Sequence, residues 1–345
     1  MKKILIAMSG GVDSSTCAYI LQQQGFEVAG LTLKLYDSQH KTCSSLKAID
    51  DAKKVCEHLN IKHFVLDLQK EFYDEIINNF IDSYLYAKTP NPCILCNEKI
   101  KFGLMLKYTI SQGYDCLATG HYAQIEKCNN EYKLKTPKDK SKDQTYFLYR
   151  LTQNELSKII FPLGIYTKQE IRDIANKSNL PVANKPDSQE ICFIQTTYHD
   201  FLEKNIKDFK NKVLPGLIVD KNGKKLGKHK GLIYYTIGQR SGLGITTSEP
   251  VYVLKLDITT NTVVVGTKND VFSRIAKIDN ISFISSKKNN DFKANVKIRR
   301  MHKPASALIS NDIIIFDEEQ TSITPGQSAV FYDNDEYVVG GGFII

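Results

Sequence analysis

The start of the chain reads as a short strand, a glycine turn and the beginning of a helix. An apolar run over residues 4–8 leads directly into SGGVDSS at residues 9–15, and the residues that follow are compatible with a helix. Such a turn leaves backbone N–H groups unpaired and pointing the same way, and the helix dipole adds positive potential there. Gly10 and Gly11 have no Cβ, so an anion can approach the backbone closely. The sequence therefore predicts a phosphate-binding loop on the first strand.

The side chains of this loop favour a nucleotide bound with a magnesium ion. Ser9 and Ser14 add hydroxyl donors, and the Asp13 carboxylate can hold Mg²⁺ between phosphate oxygens. Neither a Lys-Ser or Lys-Thr pair after the last glycine nor a G-x-G-x-x-G follows the strand, so the two commonest nucleotide loops are excluded. The alternative is an ordinary helix start with Ser and Asp as caps. The position of the loop, at the head of a long alternation of strands and helices, favours phosphate binding.

Length and charge limit the class of protein. A chain of 345 residues with 42% apolar content predicts a folded protein of two or three domains. The net charge of +8 is concentrated in basic runs at 221–230 and 287–303, which predict a polyanionic partner; solvated lysine-rich loops are the alternative. No stretch approaches a membrane span. We therefore expect a cytoplasmic protein without a membrane partner, whose eight cysteines are reduced thiols.

Strands alternate with helices as far as about residue 190. We predict strands over 3–8, 27–35, 63–68 and 116–120, and helices over 14–24, 46–59, 72–87, 98–111, 152–160 and 167–179. This alternation predicts an α/β domain with a doubly wound parallel sheet, whose ligands bind at the carboxyl ends of the strands. Ser9, Leu33 and Gly120 all fall at such ends. The lysine-rich stretch 133–142 is expected to be a mobile loop.

The pattern changes near residue 213 to short β-branched segments separated by glycines. Strands are predicted over 217–219, 251–256, 262–265, 278–284, 293–298, 305–308, 313–316, 328–331 and 337–340. This pattern indicates a small β-rich linking domain followed by a C-terminal β-barrel. We divide the chain into domains at 1–198, 199–268 and 269–345.

Cysteines supply the second chemical signal. Cys93 and Cys96 follow Pro92 and stand just before a predicted helix, whose positive end lowers a thiol pKa as a nucleophile requires. A pair of partly buried structural cysteines is one alternative. Half of a zinc site is another, although a four-cysteine site needs a second close pair that the sequence lacks. Cys192 stands between two apolar residues, and composition alone favours a core position for it.

Seven segments taken together resemble the tRNA-specific 2-thiouridylase family. In chain order they read SGGVDSS, KTPNPCILCNEKIKFG, ATGHY, KDQTYFLY, DSQEICFI, GLIYYTIGQRSGLGI and TPGQSAVFY. The nucleotide loop alone identifies only the PP-loop ATP pyrophosphatase superfamily, whereas the two cysteine motifs and the Gly-Gln-Arg segment are specific to the family. The resemblance covers essentially the whole chain, and it implies an adenine nucleotide alpha hydrolase-like fold for the first domain.

The resemblance implies that oxygen is replaced by sulfur at C2 of the wobble uridine in tRNAs for Lys, Glu and Gln. The uridine O2 attacks the α-phosphorus of ATP, pyrophosphate leaves, and an adenylated uridine forms. Cys192 carries a persulfide received from a donor protein. Cys96 is the nucleophile, which either attacks that persulfide and frees sulfide or assists direct persulfide transfer, and a Cys96–Cys192 disulfide would remain. The implied sites for ATP and Mg²⁺ are Ala7, Met8, Ser9, Gly10, Gly11, Val12, Asp13 and Ser14, with Leu33 and Gly120 beside the adenosine.

The resemblance also implies the contacts with tRNA. A base that undergoes chemistry must leave its stack. The residues expected to line or flank the flipped base are Asn91, Pro92, Cys93 and His121. The residues expected to meet the rest of the tRNA are Lys142, Asp143 and Gln144, together with Arg299, Arg300 and Gln327 in the barrel. Each has a plainer alternative, such as pairing with the local backbone for His121 or a solvated strand position for the arginine pair.

One departure from the family opens a second route for sulfur. Many members carry aspartate at the position of Cys93, so a candidate general acid–base is replaced here. Cys93, Cys96 and Cys192 can together supply three thiolates to a [4Fe-4S] cluster whose open iron holds the sulfide. We rank the persulfide route first. A PP-loop ligase that does not use these cysteines is a further alternative, whereas the nucleotide loop argues against a non-catalytic RNA-binding module or a simple sulfur carrier.

Overall fold

The computed structural model describes residues 1–36, 46–186, 191–194, 196–285 and 291–345. Its first layer is a five-stranded parallel sheet with the strand order β3-β2-β1-β4-β7. The strands are β1 (Lys3–Ala7), β2 (Glu27–Lys34), β3 (Lys62–Asp67), β4 (Cys116–Ala118) and β7 (Ile159–Ile160). The predicted parallel sheet is confirmed, and its central strand is the one that leads into the glycine turn.

Helices cover both faces of this sheet. They are α1 (Val12–Gln23), α2 (Leu46–His58), α3 (Gln69–Phe72), α4 (Asn78–Leu85), α5 (Pro92–Leu95), α6 (Leu106–Ser111), α7 (Gln153–Leu156) and α8 (Lys168–Lys177), with π-helical segments over Tyr73–Ile77 and Cys96–Met105. Alternate side chains of β1 enter different cores: Leu5 packs in one, and Ile4 and Ile6 pack in the other. No helix within the described ranges is long and apolar enough to cross a bilayer.

Two local predictions in the first domain are wrong. The helix predicted over 152–160 ends at Leu156, and β7 follows as a short edge strand. The loop predicted over 133–142 contains instead the second strand of a hairpin, formed by β5 (Gln124–Cys128) and β6 (Glu131–Lys135). Asn129 and Asn130 form its turn with φ of 46° and 67°, a conformation that asparagine tolerates.

The second domain follows α9 (Tyr198–Asn205) and α10 (Phe209–Lys212). It contains a four-stranded sheet with the strand order β10-β11-β8-β9. Its strands are β8 (Gly216–Asp220), β9 (Lys225–His229), β10 (Tyr252–Asp257) and β11 (Thr262–Gly266). β9 was not predicted, because its lysines and histidine lack the β-branched residues that marked the other strands.

The C-terminal strands close into an antiparallel barrel. The order β12-β15-β14-β13-β16-β17 is completed by pairing between β12 and β17, so the predicted barrel is confirmed. The strands are β12 (Phe272–Phe283), β13 (Asp291–Lys297), β14 (Ala305–Ser310), β15 (Ile313–Thr321), β16 (Ser328–Tyr332) and β17 (Tyr337–Ile344). β6 also pairs with β17, so the hairpin of the first domain extends the barrel sheet. The three-domain boundaries given above stay a prediction.

Residues 142–150, here called the docking segment, hold the barrel against the first domain. Lys297 Nζ lies 2.8 Å from Asp143 Oδ2, and these side chains are only 14% and 7% exposed. Tyr146 donates its hydroxyl to the Ser328 carbonyl at 2.8 Å. The Tyr149 hydroxyl lies 3.1 Å from Ser328 Oγ. The barrel is therefore attached through buried polar contacts that have defined partners.

We expect Lys297→Met to lower the free energy of unfolding by about 3 kcal/mol, because it leaves the buried Asp143 carboxylate without its cation. Lys293→Met, on the exposed face of the same strand, should change it by less than about 0.5 kcal/mol. Denaturant unfolding followed by circular dichroism measures both. The double variant Lys297→Met/Asp143→Asn should recover part of the loss, and additive losses would contradict an ion pair at this interface.

Candidate active site

The glycine turn after β1 is held in one shape by its own side chains. Gly10 has φ of +67°, and a Cβ there would lie 2.4 Å from the Ala48 carbonyl oxygen. Ser9 donates its backbone N–H to Ser14 Oγ at 3.1 Å. Ser14 Oγ in turn donates to the Gly11 carbonyl at 3.2 Å. The turn leads into α1 at Val12, so the helix N-terminus opens directly beside it.

The three strand ends singled out in the sequence lie side by side. β2 and β4 are the two neighbours of β1, so Leu33 and Gly120 flank the turn. A Cβ on Gly120 would lie 3.0 Å from the Ser14 backbone nitrogen, which shows how closely the end of β4 approaches the helix start. Leu33 is 9% exposed at the edge of the core. This edge has the geometry expected of a nucleotide site in an open α/β sheet.

Two lysines and a tyrosine that the sequence did not single out complete this edge. Asp13 Oδ1 accepts from the Tyr122 hydroxyl at 2.8 Å and from Lys168 Nζ at 2.7 Å. Lys185 Nζ donates to the Gly10 carbonyl at 2.8 Å. Two ammonium groups therefore stand at the turn, as a polyphosphate requires. They come from residues distant in the chain, so only the fold places them here.

The first two candidate cysteines lie on a short capped helix. Asn91 Oδ1 accepts the backbone N–H of Cys93 at 3.2 Å, and Pro92 occupies the first position of α5. Cys93 is exposed, whereas Cys96 is only 8% exposed. Cys96 is also the first residue of the π-helical segment Cys96–Met105, a rare geometry that is frequent at functional sites.

The third candidate, Cys192, is half-buried and is anchored through its neighbour. The Phe193 ring lies 5.3 Å from that of Phe80 and 5.1 Å from that of Phe201, centroid to centroid. Cys192 packs against the same hydrophobic cluster that contains Cys96. Residues 187–190, which complete its motif, lie outside the described residues. The structure thus brings Cys96 and Cys192 to one core.

The described side chains do not fit an iron–sulfur cluster. No group of three or more His, Cys, Asp or Glu residues is arranged to hold a metal ion within the ranges the structure describes. Cys93, Cys96 and Cys192 therefore do not form the three-thiolate site that the cluster alternative needs. Two further cysteines are excluded as nucleophiles, because burial raises the pKa of Cys17 and raises that of Cys56 to about 12.

The side chain of His121 is almost completely buried. Its Nδ1 is 2.7 Å from Thr119 Oγ1, and its ring packs against Phe102 and Phe161. Burial, and to a smaller extent the charge of Lys101, holds its pKa well below the usual value. The imidazole is therefore neutral at physiological pH, and the partner of its Nδ1 is the Thr119 side chain rather than the local backbone.

The predicted tRNA residues of the docking segment mostly hold the protein together. Asp143 binds Lys297 and also accepts the Thr145 backbone N–H at 2.9 Å. Gln144 Oε1 accepts the Tyr122 backbone N–H at 2.8 Å. Lys142 is half-buried. Asp143 and Gln144 thus have structural partners in the unliganded protein.

The three barrel residues predicted to grip tRNA lie in different settings. Arg299 is half-buried and donates to the Ser322 carbonyl at 2.5 Å, and burial lowers its pKa. Arg300 is exposed, with its guanidinium 5.6 Å from the centroid of the Phe147 ring. Gln327 Nε2 donates to the Thr89 carbonyl at 2.7 Å, in the segment that leads to the cysteines. Lys287 and Lys288 of the basic run lie outside the described residues.

Behind Phe147 a buried asparagine links the barrel surface to the cysteine helix, a name used here for α5 and the π-helical segment that continues it to residue 105. Asn97 is 2% exposed, and its Nδ2 donates to the Phe147 carbonyl at 3.1 Å. It follows Cys96 directly in the chain. The exposed Arg300 and the buried Cys96 are therefore separated by only two packed residues, which places the candidate tRNA surface beside the candidate nucleophile.

Gly10→Ala should abolish ATP binding, because the added Cβ overlaps the Ala48 carbonyl as well as straining the left-handed backbone. Gly25→Ala is the matched control: Gly25 has φ of +83°, and a Cβ there meets nothing within 4 Å. It should cost about 1 kcal/mol of stability and leave ATP affinity unchanged. Calorimetric titration with ATP distinguishes them, and equal affinities would show that the close approach at Gly10 does not matter.

Stability should fall as the pH is lowered from 7 to 5.5. The unfolded chain protonates His121 near its ordinary pKa of about 6.5, whereas the folded chain does not, so acid favours unfolding. One such group lowers the free energy of unfolding by up to about 1 kcal/mol for each pH unit over this range. His121→Gln should reduce the slope measured by denaturant unfolding at several pH values. Identical slopes would contradict the assignment of a depressed pKa to this histidine.

Models of three protein-domain families match the chain in succession. Residues 2–196 match the tRNA methyl transferase HUP domain, 199–267 the tRNA methyl transferase PRC-barrel domain, and 273–344 the aminomethyltransferase beta-barrel domain. Among solved structures, the U34-tRNA thiolase NcsA from Methanococcus maripaludis with its [4Fe-4S] cluster aligns with a TM-score of 0.37 and 18% identity over 59% of this chain and 63% of that one. A TM-score and a sequence identity this low support no conclusion about the chemistry of this chain.

Full-length relatives are much more similar. The tRNA-specific 2-thiouridylase MnmA 2 of Thermoanaerobacter sp. (strain X514) is 48% identical across 99% of this chain and 97% of its own length. The tRNA-specific 2-thiouridylase MnmA of Clostridium kluyveri is 45% identical across 99% of both chains. That of Halothermothrix orenii is 44% identical across 100% of this chain and 99% of its own. With this identity over its whole length, and with the nucleotide edge and the cysteine core in place, the chain belongs to the tRNA-specific 2-thiouridylase family.

Proposed function

We propose that the protein is a tRNA-uridine 2-sulfurtransferase that uses ATP to convert the wobble uridine of tRNA to 2-thiouridine. The observation that carries this proposal is a shared core. Leu33 at the nucleotide edge and Cys96 belong to one hydrophobic cluster, and Cys192 packs against it. The nucleotide edge and the two cysteines are thus joined by one continuous hydrophobic core. A PP-loop ligase that acts without thiols has no use for that arrangement.

The first step activates the uridine. Backbone N–H groups of the glycine turn bind the phosphates of ATP, and Lys168 and Lys185 add positive charge beside them. The Asp13 carboxylate would hold a magnesium ion that arrives with the nucleotide, and the ion would neutralise charge on the phosphate oxygens. The uridine O2 attacks the α-phosphorus and pyrophosphate leaves. The oxygen on C2 is then part of AMP, which is a far better leaving group than hydroxide.

The second step delivers sulfur. A donor protein transfers its terminal persulfide sulfur to Cys192, which becomes Cys192–S–SH. The Cys96 thiolate attacks the inner sulfur, so the Cys96–Cys192 disulfide forms and HS⁻ is released. HS⁻ adds to C2 of the adenylated uridine, and AMP leaves as the C2=S bond forms. A thiol reductant must then restore both cysteines. The disulfide requires the two Cα atoms to come within about 7 Å.

The substrate is proposed to approach across the barrel and the cysteine helix. Asn91, Pro92 and Cys93 would line the flipped wobble uridine of tRNAs for Lys, Glu and Gln, and His121 would flank it. Lys142 would meet the rest of the tRNA. Arg300 is exposed beside Phe147 and is suited to a phosphate. Arg299 and Gln144 support this surface from within, since both have internal partners. Phosphate contacts would make binding strongly dependent on salt.

Cysteine variants test the persulfide route. We expect Cys192→Ser to lower thiolation from a cysteine desulfurase by at least about 100-fold while some activity with free sulfide remains, because the variant lacks only the sulfur carrier. Cys96→Ser should likewise stop desulfurase-dependent turnover, since the persulfide is then not released. Both should still release pyrophosphate from ATP in the presence of tRNA. Thiolated uridine is measured by mass spectrometry of nuclease digests.

Cys93→Ser separates the two sulfur routes, and Cys128→Ser on the β5–β6 hairpin serves as the control. In the persulfide route Cys93→Ser keeps thiolation from the desulfurase, because Cys93 neither holds the transferred sulfur nor attacks the persulfide. Activity that requires bound iron and disappears equally in the Cys93, Cys96 and Cys192 variants, from either sulfur source, would establish the cluster route instead. Absence of thiolated tRNA under all conditions would refute the proposed function.

A further inference from the structure

One threonine of the first domain forms hydrogen bonds with both of the other domains. The Thr89 backbone N–H donates to the Pro325 carbonyl at 2.8 Å. Its carbonyl accepts from Gln327 Nε2 at 2.7 Å. Its hydroxyl donates to Thr236 Oγ1, in the second domain, at 3.3 Å. The backbone N–H and carbonyl of Thr89 are therefore both hydrogen-bonded to the barrel, as the two groups of one residue are when it pairs with a neighbouring strand.

The barrel supplies these contacts from a rigid turn, residues 324–327, here called the TPGQ turn. Gly326 donates its N–H to the Ile344 carbonyl at 2.9 Å, and Ile344 donates to the Gln327 carbonyl at 2.8 Å. Gly326 has φ of +90°, and a Cβ there would lie 2.8 Å from the Thr89 nitrogen. The turn is thus part of the barrel wall and touches Thr89 without space for a side chain.

Thr89 stands at the head of the cysteine segment, residues 88–96. Pro90 follows it, and a proline restricts both its own φ and the backbone of the preceding residue. Asn91 comes next and caps α5 through the Cys93 N–H. Because little backbone freedom separates Thr89 from this cap, fixing Thr89 also fixes where α5 begins and where Cys96 is presented.

We propose that Gln327 is a positioning residue that clamps the cysteine segment. Its amide N–H is directed at the Thr89 carbonyl, and the Thr89 N–H is bonded by the same turn. The consequence for catalysis rests on the proposed function, but the clamp itself is a property of the protein without tRNA. It makes the docked barrel a requirement for the correct presentation of Cys96.

Hydrogen exchange of the protein without ATP or tRNA tests the clamp. Gln327→Met removes the hydrogen bond and keeps the side-chain bulk. It should raise the exchange rate of the peptide containing residues 88–95 by about five-fold, as expected for the loss of one hydrogen bond from a local structure. Gln320→Met is the matched control, because the side-chain amide of Gln320 donates within its own strand, to the Glu318 carbonyl. It should leave this peptide unchanged.

Thiol alkylation gives a second readout within the same segment. Cys93 is exposed, whereas Cys96 is 8% exposed, so the ratio of Cys96 to Cys93 modification by iodoacetamide reports opening of the segment. The ratio should rise in Gln327→Met without a change in melting temperature. Gly326→Ala, whose Cβ overlaps Thr89, should raise it further. Gly223→Ala controls for backbone strain, because Gly223 has φ of +85° and open space around it.

Turnover separates the clamp from direct recognition of tRNA. A positioning role predicts that Gln327→Met lowers kcat for thiolation about five-fold and leaves the Kd for tRNA at its wild-type value. A weakened Kd with unchanged exchange and alkylation would overturn the proposal and make Gln327 a tRNA contact. Increased exchange and alkylation in a protein that thiolates no tRNA would support the clamp and refute the proposed function.

Discussion

The arrangement of this protein depends on a buried ion pair between Asp143 and Lys297. Removing two charges from water costs more than an isolated pair returns, so such a contact is favourable only when its remaining hydrogen-bond groups are satisfied. Here Asp143 also accepts the backbone N–H and the hydroxyl of Thr145. The Lys297 ammonium lies 5.1 Å from the centroid of the Tyr332 ring. These partners select one docked orientation of the barrel against the α/β domain.

That orientation has consequences for the active site. Arg150, at the end of the docking segment, binds Glu98 at 2.6 Å and the Asn280 carbonyl at 3.0 Å, so it connects the cysteine helix to β12. The TPGQ turn reaches Thr89, which lies two residues before the Asn91 cap of α5. The cysteines are therefore carried by one domain and held in place by another. A surface that is proposed to bind tRNA is in this way continuous with the structure that presents Cys96.

The sequence predicted the elements whose signals are local. The strand, glycine turn and helix at the start of the chain are present, and Leu33 and Gly120 flank the turn because parallel strands end at a common edge. The hairpin β5–β6 was missed although Asn129 and Asn130 are typical turn residues, because its partner β17 lies about 200 residues away. The helix predicted over 152–160 was cut short because residues 159 and 160 pair with β4.

Side-chain roles were harder to predict than elements. Asp143 and Gln327 are expected from the resemblance to meet tRNA, and that stays a prediction. The sequence did not show that the Asp143 carboxylate binds Lys297 or that Gln327 binds Thr89. Lys168 and Lys185 received no role, although they stand at the nucleotide edge. The periodicity of a sequence reports which face of an element is buried, but it does not report which distant residue lies opposite.

By itself, the sequence determined the class of the fold and the position of the glycine turn, because these follow from backbone rules and from residue types within a few positions of one another. The cysteines proposed for sulfur chemistry were named by the resemblance to the family. Only the tertiary structure decided that Cys96 and Cys192 share one core, that two distant lysines flank the glycine turn, and that the barrel is bonded to Thr89. Such contacts join residues far apart in the chain, and their partners are set by the packing of whole domains.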